Sequence, residues 1–150
     1  MIILTGQAFD PGALLSEFCQ DRTETGAIAT FTGLARDEQG DTTTLELEAY
    51  PGFTEAAIGK IADEALRRFD LHDFHVVHRV GKITPGEAIV FVATAASHRR
   101  AAFEACDFLM DYLKSRAPFW KKETGPAGAR WIEPRAQDHA DIARWETPKP

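Results

Sequence analysis

From Ser97 to Pro118 the chain keeps one helical pattern for about five turns, and this run limits the possible folds more than any other. At about 100° per residue, Phe103, Cys106, Leu109, Met110 and Leu113 fall on one apolar stripe. Such a helix draws most of its stability from packing that stripe against an apolar surface. The run Glu87–Ala95, just upstream, is apolar and strand-forming, and can supply one. Ser97 stands where a cap is needed, and Pro118 stops the helix.

The flanking segments read as further strands and helices. Met1–Thr5 is a short strand, and Asp10-Pro11 opens a helix with Leu14, Leu15, Phe18 and Cys19 on one face. Gly26–Gly33 is a strand between glycines, followed by a polar, mobile loop over Leu34–Thr43. Thr44–Tyr50 alternates as a strand with one wet face. Thr54 is placed to cap a helix carrying Ile58, Ile61, Ala62, Ala65, Leu66 and Phe69. Phe74–Val80 is a strand that Gly81 breaks, and Pro85-Gly86 is a turn. Beyond Pro118 come Phe119–Glu123, a turn at Gly125–Gly128, a short strand Arg130–Ile132 and a helical segment Gln137–Trp145. This order predicts an α+β fold, with a mainly antiparallel sheet packed by helices. Residues 1–146 read as a single domain and 147–150 as a disordered tail.

The formal net charge of −6 argues against nucleic-acid binding, which needs a basic footprint. No apolar run approaches a membrane span of about 20 residues. The start of the chain lacks the basic and apolar regions of a signal peptide. The two cysteines, Cys19 and Cys106, each fall in an apolar helical pattern, so a cytoplasmic address without disulfides is expected.

Charge is uneven, however. Between His98 and Lys122 six Lys and Arg side chains face three acids, a local excess that suits a small anion. Lys114 lies at the edge of the apolar stripe, where it either snorkels to water or stays partly desolvated and reactive. Arg99 projects onto the same stripe at the helix N-terminus, where it either pairs with an acid or joins free backbone N–H groups in holding an anion. Pro118-Phe119-Trp120 turns the chain. If a strand then doubles back, alternation lets only one of Lys121 and Lys122 face a pocket shared with Lys114; otherwise the turn is simply solvated. Arg36 follows a strand end, where functional loop residues concentrate. His75 and His78 sit on opposite faces of a strand, and no Cys/His spacing suits a metal, so neither metal nor cofactor is expected. No glycine-rich phosphate loop is present.

Several stretches together resemble the large, catalytic subunit of molybdopterin synthase, the MoaE family. They are Thr30-Phe-Thr-Gly33 with Arg36, Leu47-Glu-Ala-Tyr-Pro-Gly52, His78-Arg-Val-Gly81, Pro85-Gly86-Glu87, Ser97-His-Arg99 and Met110-Asp-Tyr-Leu-Lys-Ser-Arg-Ala-Pro-Phe-Trp-Lys121. The resemblance implies an α/β hammerhead with a small accessory β subdomain. It implies a sulfurtransferase that turns cyclic pyranopterin monophosphate (precursor Z) into molybdopterin, in molybdenum cofactor biosynthesis. Two sulfurs would come from the C-terminal Gly-Gly thiocarboxylate of a small ubiquitin-like subunit, and the large subunits would form the homodimer core of a heterotetramer. By position it makes Lys114 and Lys121 catalytic. It gives Arg36, His98 and Arg99 to pterin and phosphate, lets Lys122 and Glu123 flank the site, and gives Arg135 a reach into a neighbouring subunit's pocket. Two other readings compete: a non-catalytic module holding a small acidic partner, and another lysine-dependent enzyme acting on a phosphorylated carbonyl compound.

Overall fold

The computed structural model describes residues 1–37, 40 and 44–146. The expected tail and half of the loop expected over Leu34–Thr43 lie outside the described residues. In chain order the elements are β1 (Ile2–Thr5), α1 (Pro11–Phe18), β2 (Ala27–Leu34), β3 (Thr44–Ala49), α2 (Phe53–Arg68) and β4 (Asp73–Arg79). They continue with β5 (Gly81–Ile83), β6 (Ala88–Ala96), α3 (Arg99–Ser115), β7 (Phe119–Gly125), β8 (Gly128–Ile132) and α4 (Ala136–Glu146).

Two four-stranded sheets result, ordered β1-β4-β6-β2 and β5-β3-β7-β8. Among the described residues only the β1–β4 pair is parallel. The mixed α+β class expected from the sequence is therefore observed. The expected accessory unit is a full second sheet.

β6 holds the first sheet together. Val90 to Ala96 are all buried, because helices cover both faces, and so the strand reads as a continuous apolar run rather than an alternation. Val90 and Val92 pack with α2 and α3 through Ile58, Ala62, Ala65, Ala102, Ala105 and Leu109. Phe91, Ala93 and Ala95 face the other way, against Phe18 and Leu14 of α1. The alanines of α2 and α3 let these helices approach the sheet closely. α4 docks on α3: Arg144 bonds Asp107 and Asp111 at 2.8 and 2.6 Å, and Trp145 packs edge-on to Phe108.

Gly81 makes the change of sheet possible. β4 belongs to the first sheet and β5, beginning two residues after it ends, to the second. The chain swivels between them at Gly81 with φ +81°, a conformation open to glycine and strained for other residues. Buried Arg79 secures the corner, with one guanidinium nitrogen on Glu87 Oε2 and another on the Lys82 carbonyl, both at 3.0 Å.

Two expected caps do not form, because each hydroxyl has a tertiary partner. Ser97 Oγ lies 3.0 Å from His72 Nε2, and His98 occupies the α3 N-cap without a side-chain bond. Thr54 lies inside α2; Gly52 is the N-cap, and its N–H donates to Glu55. The buried Thr54 hydroxyl accepts from the Tyr50 N–H at 2.9 Å and donates to the Pro118 carbonyl at 3.1 Å. It thus ties the start of α2 to the turn that launches β7. Thr54→Val, of nearly equal volume, leaves both backbone groups unpaired in the interior. It should cost roughly 1–3 kcal/mol, read as a lower urea midpoint at unchanged slope; an unchanged midpoint would show that the hydroxyl holds nothing.

Candidate active site

A cavity of about 480 Å³ opens where the last turns of α3 meet the end of β2 and the β7–β8 hairpin. Its wall from β2 begins with Phe31 and runs to Arg36. Gly33 fits because an added Cβ would lie 2.7 Å from Val90 Cγ1. The β2–β6 register slips between Gly33 and Leu34, a bulge that bends the strand end carrying Arg36. α3 contributes Met110, Leu113 and Lys114. The turn at Ala117 and Pro118 then delivers β7, which contributes Phe119, Lys121 and Glu123.

Alternation along β7 sorts the neighbouring lysines. Lys121 and Glu123 line the cavity. Lys122 falls on the other face, with its Nζ 5.7 Å above the ring of Trp131, its cross-strand partner. On that outer face Trp120 also donates to the Tyr50 hydroxyl and meets Trp131 edge-on.

Five of the residues singled out from the sequence therefore share one cavity: Arg36, Lys114, Lys121, Glu123 and Arg135. His98 and Arg99 do not. They stand exposed at the opposite end of α3, about 22 Å from Lys114 along the axis, at about 1.5 Å per residue. Phe103 was expected in the core and is 65% exposed. Lys114 itself is exposed, which agrees with the snorkelling alternative for its stripe-edge position. Arg135 lines the cavity of its own chain.

Electrostatically the lining is cationic. Arg36, Lys114, Lys121, Arg130 and Arg135 stand against Glu123, Glu133 and Asp138. Two of these carboxylates are engaged by arginines: Glu123 takes two bonds from Arg130 at 3.0 and 3.2 Å, and Asp138 Oδ2 lies 3.6 Å from Arg135 Nε. With five cationic side chains against three acidic ones, the lining as a whole favours an anion. No thiol reaches the cavity. Cys19 follows α1, on the opposite face of the first sheet. Cys106 is buried against that sheet, and burial pushes its thiol up to about 12.

Among the polar lining residues that sequence reasoning did not rank are Arg130 and His78. Arg130 could have been found only from the β7–β8 register, which pairs it with Glu123. His78 lines the cavity beside Phe119, on which it stacks at 4.1 Å and 17°. Its alternation with His75 was legible, but which histidine faced the cavity was not. Burial, far more than nearby Lys114, holds the His78 imidazole down at about 4, although a bond to the Arg79 carbonyl opposes the shift. Among the described residues no helix is long and apolar enough to cross a membrane.

This shift has a definite sign. The unfolded chain takes up a proton on His78 below about pH 6.5, whereas the folded chain resists until about pH 4. Folding stability should therefore fall as pH drops through that window, by on the order of 3 kcal/mol from this residue. His78→Phe should remove that contribution. Urea unfolding of both chains between pH 7 and pH 4 should show the variant losing less stability; parallel curves would mean that His78 titrates freely.

Comparison with known proteins places these features in one family. Residues 4–116 match the family model described as MoaE protein. A molybdopterin synthase catalytic subunit of Caulobacter vibrioides is 69% identical over 97% of each chain, and one of Mesorhizobium japonicum is 52% identical over 94% of this chain and 90% of its own. Among solved structures, the molybdopterin biosynthesis MoaE protein from Burkholderia ambifaria superposes with a TM-score of 0.84, at 47% identity over 99% of both chains. The family match spans well over half of the sequence and the relatives nearly all of it, so the chain belongs to the MoaE family.

Proposed function

We propose that the chain is the catalytic subunit of a molybdopterin synthase and that the Lys114–Lys121 cavity carries the sulfur transfer. One observation carries the reading: lysines from two separate elements, α3 and β7, line one cationic cavity that contains no thiol. A cyclic phosphate ester such as precursor Z suits that charge. With no reactive cysteine at hand, sulfur has to arrive on another molecule, as it does in the thiocarboxylate of a small ubiquitin-like subunit. The relatives' designation as a catalytic subunit supports a second kind of subunit. Apolar lining residues such as Phe31, Leu34 and Phe119 suit an extended Gly-Gly tail. Lysine ammonium groups there stabilise the negative charge that develops as sulfur leaves the acyl carbon.

The separation of His98 and Arg99 from Lys114 supports a further element of the reading. In a homodimer, a second chain can bring its α3 N-terminus to this cavity and complete the anion site in trans. Free backbone N–H groups at that terminus would add to the two side chains.

With precursor Z and a thiocarboxylated small subunit, the wild-type chain should make molybdopterin, and Lys114→Ala should lower turnover at least about 100-fold while melting and partner binding stay unchanged. Near-normal turnover in Lys114→Ala would remove this lysine from the mechanism. Product formed without the small subunit would favour a different lysine-dependent enzyme, and no product with a competent partner would favour a non-catalytic module.

Mixed dimers test the trans arrangement. Co-expressed Lys114→Ala and Arg99→Ala chains should together show more activity than either alone, because one of the two cavities then has both groups. Absence of complementation in verified mixed dimers would contradict it.

A further inference from the structure

Most polar groups around the cavity are donors or engaged carboxylates, and His78 is neither. Its Nδ1 lies 2.7 Å from the Arg79 carbonyl, which can only accept, so the proton of the neutral ring sits on Nδ1. That leaves Nε2 as a bare acceptor. It makes no hydrogen bond among the described residues, and it is not among the buried side-chain atoms sealed from solvent without a partner. The residue is 8% exposed and lines the cavity, so this small opening faces the cavity. The stack on Phe119 and the bond to Arg79 together fix the direction of the ring. The imidazole stays uncharged at neutral pH, since burial holds it down at about 4. A fixed, neutral acceptor beneath a cationic rim is suited to a ligand that carries an N–H donor at one end and a negative charge at the other.

We propose that His78 is a specificity-determining residue whose Nε2 accepts a hydrogen bond from a ring or amino N–H of the bound heterocycle, while the cationic rim holds its phosphate. This rests on the functional reading above, and it adds how the site tells a pterin phosphate from other phosphate esters. A pterin has N–H donors on its rings and on its exocyclic amino group, whereas a simple phosphate ester has none. An ester without such a donor leaves the His78 acceptor unpaired in a buried site, and that discriminates strongly.

The test compares wild type, His78→Phe and His78→Gln by equilibrium binding of precursor Z and of inorganic phosphate, and by steady-state turnover with the thiocarboxylated small subunit. Phenylalanine keeps the stack on Phe119 and deletes the acceptor; glutamine restores an acceptor at similar reach. His78→Phe should weaken precursor Z binding about 10- to 50-fold and raise KM in proportion, with inorganic phosphate bound as in wild type. His78→Gln should recover most of the loss. Equal weakening toward phosphate and precursor Z would show a general disturbance of the cavity and overturn the proposal. So would unchanged KM with reduced kcat, which would make His78 a positioning residue for Lys114. Should the phenylalanine chain fail to fold, the glutamine chain decides by itself, since near-wild-type affinity is expected there and a loss equal to that of His78→Ala would overturn the proposal. If wild type neither binds nor turns over precursor Z, the functional reading fails; if it does both and His78→Phe matches it, only the role of His78 fails.

Discussion

Everything at the cavity depends on β6 being buried on both faces. Seven consecutive buried residues leave no wet side, so α1 must cover one face while α2 and α3 cover the other. The small side chains Ala102 and Ala105 seat α3 closely on that sheet and so direct where its C-terminal end points. Pro118 then turns the chain out of the helix, with the Thr54 hydroxyl holding the turn to α2. β7 leaves as a strand of the second sheet, and the cavity lies in the angle between helix end and returning strand. Lys114 and Lys121 are seven residues apart in sequence, yet they reach one space from two elements packed on different sheets.

That origin explains the chemistry the cavity supports. Its charge comes from separate elements, Arg36 after β2, Lys114 on α3, Lys121 on β7, Arg130 on β8 and Arg135 before α4, so the field converges instead of lying along one surface. Glu123 is tied to Arg130 and leaves the balance positive. The only cysteine of the core is sealed and held as a thiol. A cationic, thiol-free cavity suits an anion and sulfur supplied from outside, which is the division of labour proposed for this chain and its partner subunit.

Local periodicity made much of this legible in the sequence. The α3 stripe, the end at Pro118 and the alternation that separates Lys121 from Lys122 follow from periods of 3.6 and 2, which need no knowledge of distant contacts. The same helical projection misled on Arg99 and Phe103. Projection down an axis discards height, so Arg99 and Lys114, about 60° apart in projection, are also about 22 Å apart in length. Phe103 lies on the flank of the stripe rather than under it, and is exposed. The expected caps failed because Ser97 and Thr54 find partners at His72 and Pro118, far along the chain. For the same reason the second sheet, the swivel at Gly81 and the cavity-facing side of His78 were not readable: strand pairing across two sheets is a non-local choice. The family resemblance supplied the substrate class and Arg135, which periodicity alone does not rank.

The most direct measurement is where a partner's tail arrives. A small ubiquitin-like subunit ending in Gly-Gly, coupled to this chain with a zero-length carbodiimide, joins its C-terminal carboxylate only to an amine within bonding distance. Peptide mass spectrometry of the adduct should find the new amide on Lys114 or Lys121, with Lys60, Lys82 and Lys122 unlabelled. Coupling confined to those other lysines would place the tail outside the cavity and contradict the account.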